Sequence, residues 1–223
     1  MSFSYTEHFL FKKKVKIMSK YKDRFSKEYQ NRVGQWPKFD MLTNNSKELA
    51  EFLDKNNIIT DGINIFEIGA AGCRNLKYIN DINNNINLFA NDLYEDASRK
   101  NMHKSIKEKI NFTEMDTLSL FQADMNLILD GNTIDLLISS DHLMHIDKES
   151  VIIILGHINS KWKPTYICTR ELYNSLGENL DRTWPRVYHD HSTHLSENYE
   201  LIAEQECSTR PDWYKLSLYK IKS

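Results

Sequence analysis

Three short apolar runs each end in an acid. Glu67 follows Ile63-Asn64-Ile65-Phe66, Asp92 follows Ile86-Asn87-Leu88-Phe89-Ala90-Asn91, and Asp116 follows Ile110-Asn111-Phe112-Thr113-Glu114-Met115. Past Glu67 lies a stretch of small residues, Gly69-Ala70-Ala71-Gly72-Cys73, and then Asn75-Leu76-Lys77-Tyr78-Ile79 opens a helical pattern. Residues without bulk let a backbone approach a ligand, and a helix N-terminus offers unpaired N–H groups to a charged or nucleotide-like one. Asp92 comes 20 residues after Gly72, the spacing of an acid that binds ribose hydroxyls. Asp116, one run further on, is placed to accept from an adenine amino group. Two further sets of polar residues lie near the C-terminus. His189, His191 and His194 have the types a transition metal uses, but no cysteine is near, and the reading adopted is a substrate-facing or solvated loop with no metal. Arg170 and Arg186 suit a carboxylate or phosphate group, with Tyr188 beside them as a substrate wall.

These side chains need a frame. Ile63–Ile68, Ile86–Asp92, Ile110–Asp116, Ile134–Ser139 and Thr165–Thr169 read as strands, rich in β-branched and aromatic residues. Helical patterns separate them over 75–82, 94–109, 119–129 and 148–160. Such alternation predicts an α/β fold: a doubly wound, mainly parallel sheet with helices on both faces and ligands beyond the C-terminal strand ends. Residues 199–206 and 213–221 read as two last strands, close enough in sequence to form an antiparallel hairpin. A long segment from Arg170 to Ser196 is expected to be a functional loop. Before the sheet, residues 1–20 are read as a flexible basic N-terminus. Residues 21–57 are read as an N-terminal helical lid or cap, with Tyr21, Phe25 and Tyr29 at helical spacing and Trp36 in the break after them. Residues 58–223 form the main domain.

Composition narrows the function. The 223 residues are 40% apolar, enough for a core, and the net charge of −2 gives no nucleic-acid footprint. The charge is uneven: residues 1–40 hold ten Lys/Arg against four Asp/Glu. The three cysteines are widely spaced, which implies reduced thiols and a cytoplasmic protein. No apolar run approaches membrane-spanning length.

With the three acids and the glycine-bearing loop in place, the sequence resembles the class I S-adenosylmethionine-dependent methyltransferases of the small-molecule type. The resemblance covers residues 60–170. Glu67-Ile68-Gly69-Ala70-Ala71-Gly72-Cys73-Arg74-Asn75-Leu76 looks like the family's first motif, Asp92 like its ribose-binding acid, and Met115-Asp116-Thr117 like its adenine-binding segment. Ser139-Ser140-Asp141-His142-Leu143-Met144-His145-Ile146 looks like the element after its fourth strand. The resemblance implies a seven-stranded Rossmann-like sheet and S-adenosyl-L-methionine as cofactor. It assigns cofactor binding to Glu67, Gly69, Ala71, Gly72, Asp92, Leu93, Asp116, Thr117 and Ser140. It makes His145 and His142 candidate bases for a hydroxyl acceptor, since imidazole titrates near neutral pH. Ala71 and Cys73 depart from the pattern, which has glycine at those positions. The motifs of amino-methylating and cytosine-methylating DNA enzymes are absent after the fourth strand, which argues against DNA as the substrate. The expected acceptor is a small molecule: a sugar, or a carboxylate- or hydroxyl-bearing compound. The alternatives are a degenerate methyltransferase fold acting as a binding or assembly protein, and a dinucleotide-dependent oxidoreductase. The latter shares the loop and the ribose acid but would need a Gly-x-Gly-x-x-Gly that is missing here.

Overall fold

The structure, a computed structural model, describes residues 43–124, 128–175, 186–209 and 211–223. The basic N-terminus, most of the helical lid and Trp36 lie outside the described residues. The chain runs α1 (Thr43–Lys55), β1 (Asn64–Ile68), α2 (Arg74–Ile82), β2 (Asn87–Asp92), α3 (Glu95–Asn101), β3 (Ile110–Glu114) and α4 (Thr117–Gln122). It continues through β4 (Leu136–Ser140), a 3-10 turn (Leu143–His145), α5 (Lys148–His157), β5 (Tyr166–Leu172), α6 (His191–Leu195), β6 (Tyr199–Glu206) and β7 (Tyr214–Ile221).

The seven strands form one sheet in the order β3-β2-β1-β4-β5-β7-β6. The first five pair in parallel, and β7 runs antiparallel to both β5 and β6. This is the mixed sheet that the alternation of patterns predicts. The chain order reverses between β1 and β4, and a doubly wound sheet opens its ligand crevice at such a switch point. Ile65, Phe66, Leu136, Leu137 and Ile138 are almost fully buried, because a central parallel strand is covered on both faces. On one face α1 and α2 pack through Leu49, Leu53, Leu76 and Ile79. On the other, Trp162 stands edge-on to Phe66 at 5.6 Å and against Phe121 at 4.4 Å between ring centroids.

Three helices begin with the same device. The carboxylates of Asp116, Asp147 and Asp190 accept from the backbone N–H of Ser119, Ser150 and Thr193. Each satisfies a donor that the helix itself cannot, for about 1 kcal/mol. At β6 the pairing slips: Leu201 faces Tyr219 and Ala203 faces Leu218, so Ile202 is an extra residue, a β-bulge.

Element lengths differ from the sequence reading in places. The helix expected over 94–109 ends at Asn101, where Met102 turns to extended backbone and His103 caps a turn by accepting from Ser105 N–H at 3.2 Å. In the stretch expected as one helix over 119–129, a first helix ends at Gln122, residues 125–127 lie outside the described residues, and 128–129 are helical again. Strand β5 runs to Leu172, three residues further than expected, because β7 pairs with it throughout. The expected loop from Arg170 to Ser196 therefore begins as strand and contains the short helix α6.

Candidate active site

The small-residue loop after β1 is built on left-handed backbone. Gly69, Ala71 and Cys73 have φ of 61°, 47° and 54°. A glycine takes this conformation freely, whereas a side chain there costs roughly 1–2 kcal/mol. Ala71 and Cys73 thus follow the path glycine would follow, at a cost in strain. The loop is tied down: Ala70 N–H donates to Asn91 O at 2.9 Å, and Ala71 N–H to the Asp92 carboxylate at 2.8 Å. The other Asp92 oxygen accepts from Leu93 N–H at 2.7 Å. Asp92 is 8% exposed, less open than a strand-end acid facing solvent would be.

Glu67 is 2% exposed. One of its oxygens accepts from Asn75 Nδ2 at 2.5 Å, and Oε2 has no partner among the described residues. Burial pushes its pKa up to about 8, with Asn75 and Arg74 pulling against it. Asn91, which the sequence reading passed over, is fully buried and bonds Thr113 O and Met115 O at 3.0 and 2.7 Å. It fixes the exit of β3 beside that of β2.

The glycines owe their lack of a side chain to protein neighbours. A Cβ on Gly69 would come within 2.0 Å of His142 Nδ1, and one on Gly72 within 3.1 Å of Asn101 O. The His142 ring therefore lies directly on Gly69. Its Nε2 is 2.6 Å from Thr117 Oγ1, so it spans from the glycine loop to the segment after β3. Burial, with the charge of His145 second, lowers its pKa to about 3 and holds it neutral. The structure thus joins Gly69, His142 and Thr117, and separately Ala71, Asp92 and Leu93. Asp116 is the cap of α4 rather than the end of β3, with one oxygen given to Ser119 N–H.

His145 closes the 3-10 turn that follows β4, one turn past Ser140, and its N–H donates to His142 O at 3.0 Å. That turn is held by Glu171, also absent from the sequence reading. Glu171 is 3% exposed. Its Oε1 accepts from Ser139 Oγ, His142 N–H and Leu143 N–H at 2.7–3.0 Å, and its Oε2 from Met144 N–H at 3.2 Å. The sequence signal was its position two residues beyond the expected end of β5, on the face that looks at the turn.

Arg170 was expected to face a substrate. It lies instead on β5, 3% exposed, paired with Asp141 and stacked over Tyr214 at 4.9 Å. Its charge serves Asp141, whose backbone is left-handed with φ of 55°. Arg186 lies over the Trp213 ring at 5.1 Å, and the next residue, Val187, donates to Met144 O. Tyr188 is half-buried. His189 bonds Ile146 O at 3.0 Å. Among the described residues no group of three His, Cys, Asp or Glu is placed to hold a metal ion, and no helix is long and apolar enough to cross a membrane.

No family model matches the sequence, and no curated protein matches it. Solved structures do. An O-methyltransferase family protein from Burkholderia thailandensis aligns with a TM-score of 0.63 at 13% identity, over 83% of this chain and 58% of that one. The N-methyltransferase NodS from Bradyrhizobium japonicum, crystallised with S-adenosyl-L-homocysteine, aligns at 0.60 and 13%, over 80% and 86%. The CcbJ methyltransferase from Streptomyces caelestis aligns at 0.61 and 12%, over 86% and 96%. The chain thus spans less than two thirds of the first of these and most of the other two. Strand order, the antiparallel β7 and the loop after β1 agree with this likeness: the chain carries the class I methyltransferase fold.

Proposed function

We propose that the protein is an S-adenosylmethionine-dependent methyltransferase acting on a small molecule. The observation that carries the reading is the loop after β1, tied through Ala71 N–H to the acid that ends β2, at the switch point of a methyltransferase fold. The residues fit the cofactor chemically. The orphaned Oε2 of Glu67 lies buried at the base of the loop; arrival of an ammonium group would draw off the proton that burial keeps on the carboxyl and pair with it. Asp92, at the end of β2 and bonded to the loop's Ala71 N–H, is the acid that would meet the ribose hydroxyls. Gly69, Gly72, Leu93, Thr117 and Ser140 would complete the holding set. When bound, the cofactor supplies a methyl group on a sulfonium.

The chain's own part is to position the acceptor, exclude water and take a proton where the acceptor is a hydroxyl. His145 is the group for that proton, on the turn that Glu171 holds. His142, neutral and bonded to Thr117, is the residue that must swing off Gly69 to open the loop.

One observation favours a second reading, a binding protein without catalysis. The His142 ring covers Gly69, and Ala71 and Cys73 hold strained left-handed backbone where glycine would be free. Calorimetric titration with S-adenosylhomocysteine decides between them. Micromolar binding, preferred over nicotinamide dinucleotides, is the expected result. No heat in wild type, with binding recovered in His142→Ala, would make the closed loop the native state and overturn the enzymatic reading.

A further inference from the structure

We infer that a polar cavity between β5, β7 and the segment before α6 is the acceptor's site, and that it takes a neutral, hydroxyl-rich molecule of the sugar type rather than a carboxylate or phosphate. The role rests on the methyltransferase reading; the ligand class rests on the cavity itself.

The cavity measures about 210 Å³, room for a monosaccharide-sized group when one water occupies about 30 Å³ of liquid. Its wall is made by Thr169 and Glu171 of β5, Ser217 and Tyr219 of β7, and His189 and His191. All six are buried. A sheet face under a helical cover is ordinarily apolar, because burying a polar group costs free energy unless it is bonded. Six polar side chains at one spot mark a place built for a polar occupant. Part of their capacity is already used: Glu171 holds the turn after β4, and Ser217 donates to Glu204 Oε1 at 3.3 Å. Part is open, since His191 Nε2 has no partner among the described residues.

The charge balance selects the occupant. Glu171, Glu204 and Asp190 line the cavity against one cation, Lys215, and that lysine is paired with Glu204 at 3.1 Å. Burial keeps both imidazoles neutral. An anion would meet a lining with more acids than cations, its one lysine already paired. Hydroxyls of Thr169, Ser217, Tyr188 and Tyr219 both donate and accept, as the hydroxyls of a sugar do. The position also suits transfer. The turn carrying His145 stands between two flanks, with Gly69 against His142 on the β1 side and Glu171 holding His142, Leu143 and Met144 on the β5 side. Glu171 is also a wall of the cavity, so the cavity adjoins the turn that carries His145.

The test uses the full chain and ligand-detected NMR titration with glucose, galactose and mannose, against glucosamine and glucuronate as charged counterparts, with and without S-adenosylhomocysteine. At least one neutral sugar should bind and glucuronate should not. Thr169→Val and Tyr219→Phe each keep the side chain's shape and remove only its hydroxyl. Each should weaken sugar binding by about two- to tenfold while S-adenosylhomocysteine affinity stays unchanged. Absence of sugar binding, tighter binding of glucuronate or glucosamine, or no loss in either variant would overturn the inference. Sugar binding without any S-adenosylhomocysteine binding would sink the cofactor reading and leave the cavity assigned.

Discussion

Asp92 carries two duties with one carboxylate. Towards the protein it pins the loop after β1 through Ala71 N–H; towards the proposed cofactor it is the acid that would accept from the ribose hydroxyls. Removal should therefore be felt twice. Asp92→Ala is expected to lose about 1–3 kcal/mol of stability in urea unfolding, because a buried N–H loses its partner. It is also expected to weaken S-adenosylhomocysteine binding by roughly ten- to a hundredfold or more, at ~1.5–3 kcal/mol per charge-assisted bond and ~1.4 kcal/mol per tenfold. Equal affinity in the variant would mean that the ribose lies elsewhere. The sequence could supply the acid, its spacing and its strand. It could not supply the bond to Ala71, because nothing in a one-dimensional pattern says that a carboxylate doubles back onto a loop 21 residues earlier. Arg170 makes the same point from the other side. As a charge in a stretch rich in His, Trp and Tyr it looked free, and only the length of β5 buries it against Asp141.

Among the elements, the turn after β4 is held by a side chain from another strand as well as by its own backbone bonds. Three successive N–H groups, His142 to Met144, and the Ser139 hydroxyl converge on Glu171. Burial raises the Glu171 pKa to about 7, with the Ser139 hydroxyl pulling it back. Glu171→Ala leaves those donors without their acceptor and should cost ~2–4 kcal/mol, whereas Glu171→Gln keeps an acceptor oxygen and should cost about half as much. Urea unfolding of the two variants measures this; a loss under ~0.5 kcal/mol in Glu171→Ala would show that the turn holds itself. The strands were legible because apolar runs bounded by turn residues leave few other options. The helix over 94–109 was read too long and that over 119–129 as unbroken because helix ends depend on local caps: His103 captures a nearby N–H, and Ala123 turns to extended backbone.

At the scale of the molecule, buried ionisable groups set a pH window. Glu67 rises from an ordinary 4.5 to about 8 by burial. Between those values the unfolded chain ionises it and the folded chain does not, so stability falls as pH rises. His142 and His191 go the opposite way, from 6.5 to about 3, again chiefly by burial. There the unfolded chain takes up protons first, and stability falls as pH drops below 6.5. Glu171, raised to about 7 by burial, acts with Glu67, and the opposed effects leave a broad maximum between about pH 4.5 and 6.5. Thermal melts from pH 4 to 9 should find it, and Glu67→Gln should flatten the alkaline limb. A wild-type melting temperature that climbs from pH 6 to 8 would contradict the burial of a protonated Glu67.

The bulge at Ile202 bears on how the molecule behaves in company. Strand β6 is one of the sheet's two outer strands, β3 being the other, and an outer strand offers unpaired backbone groups that an incoming strand can copy. Here the copying would have to cross an inserted residue, past Glu200, Glu204 and Glu206 along the same eight residues. Leu201 and Ile202 are both exposed at that point, so the greasiest place on the rim is also the place where regular pairing breaks. At this edge the sheet therefore terminates itself: growth by recruitment of like chains is checked by geometry and by negative charge at the spot where stickiness would otherwise invite it.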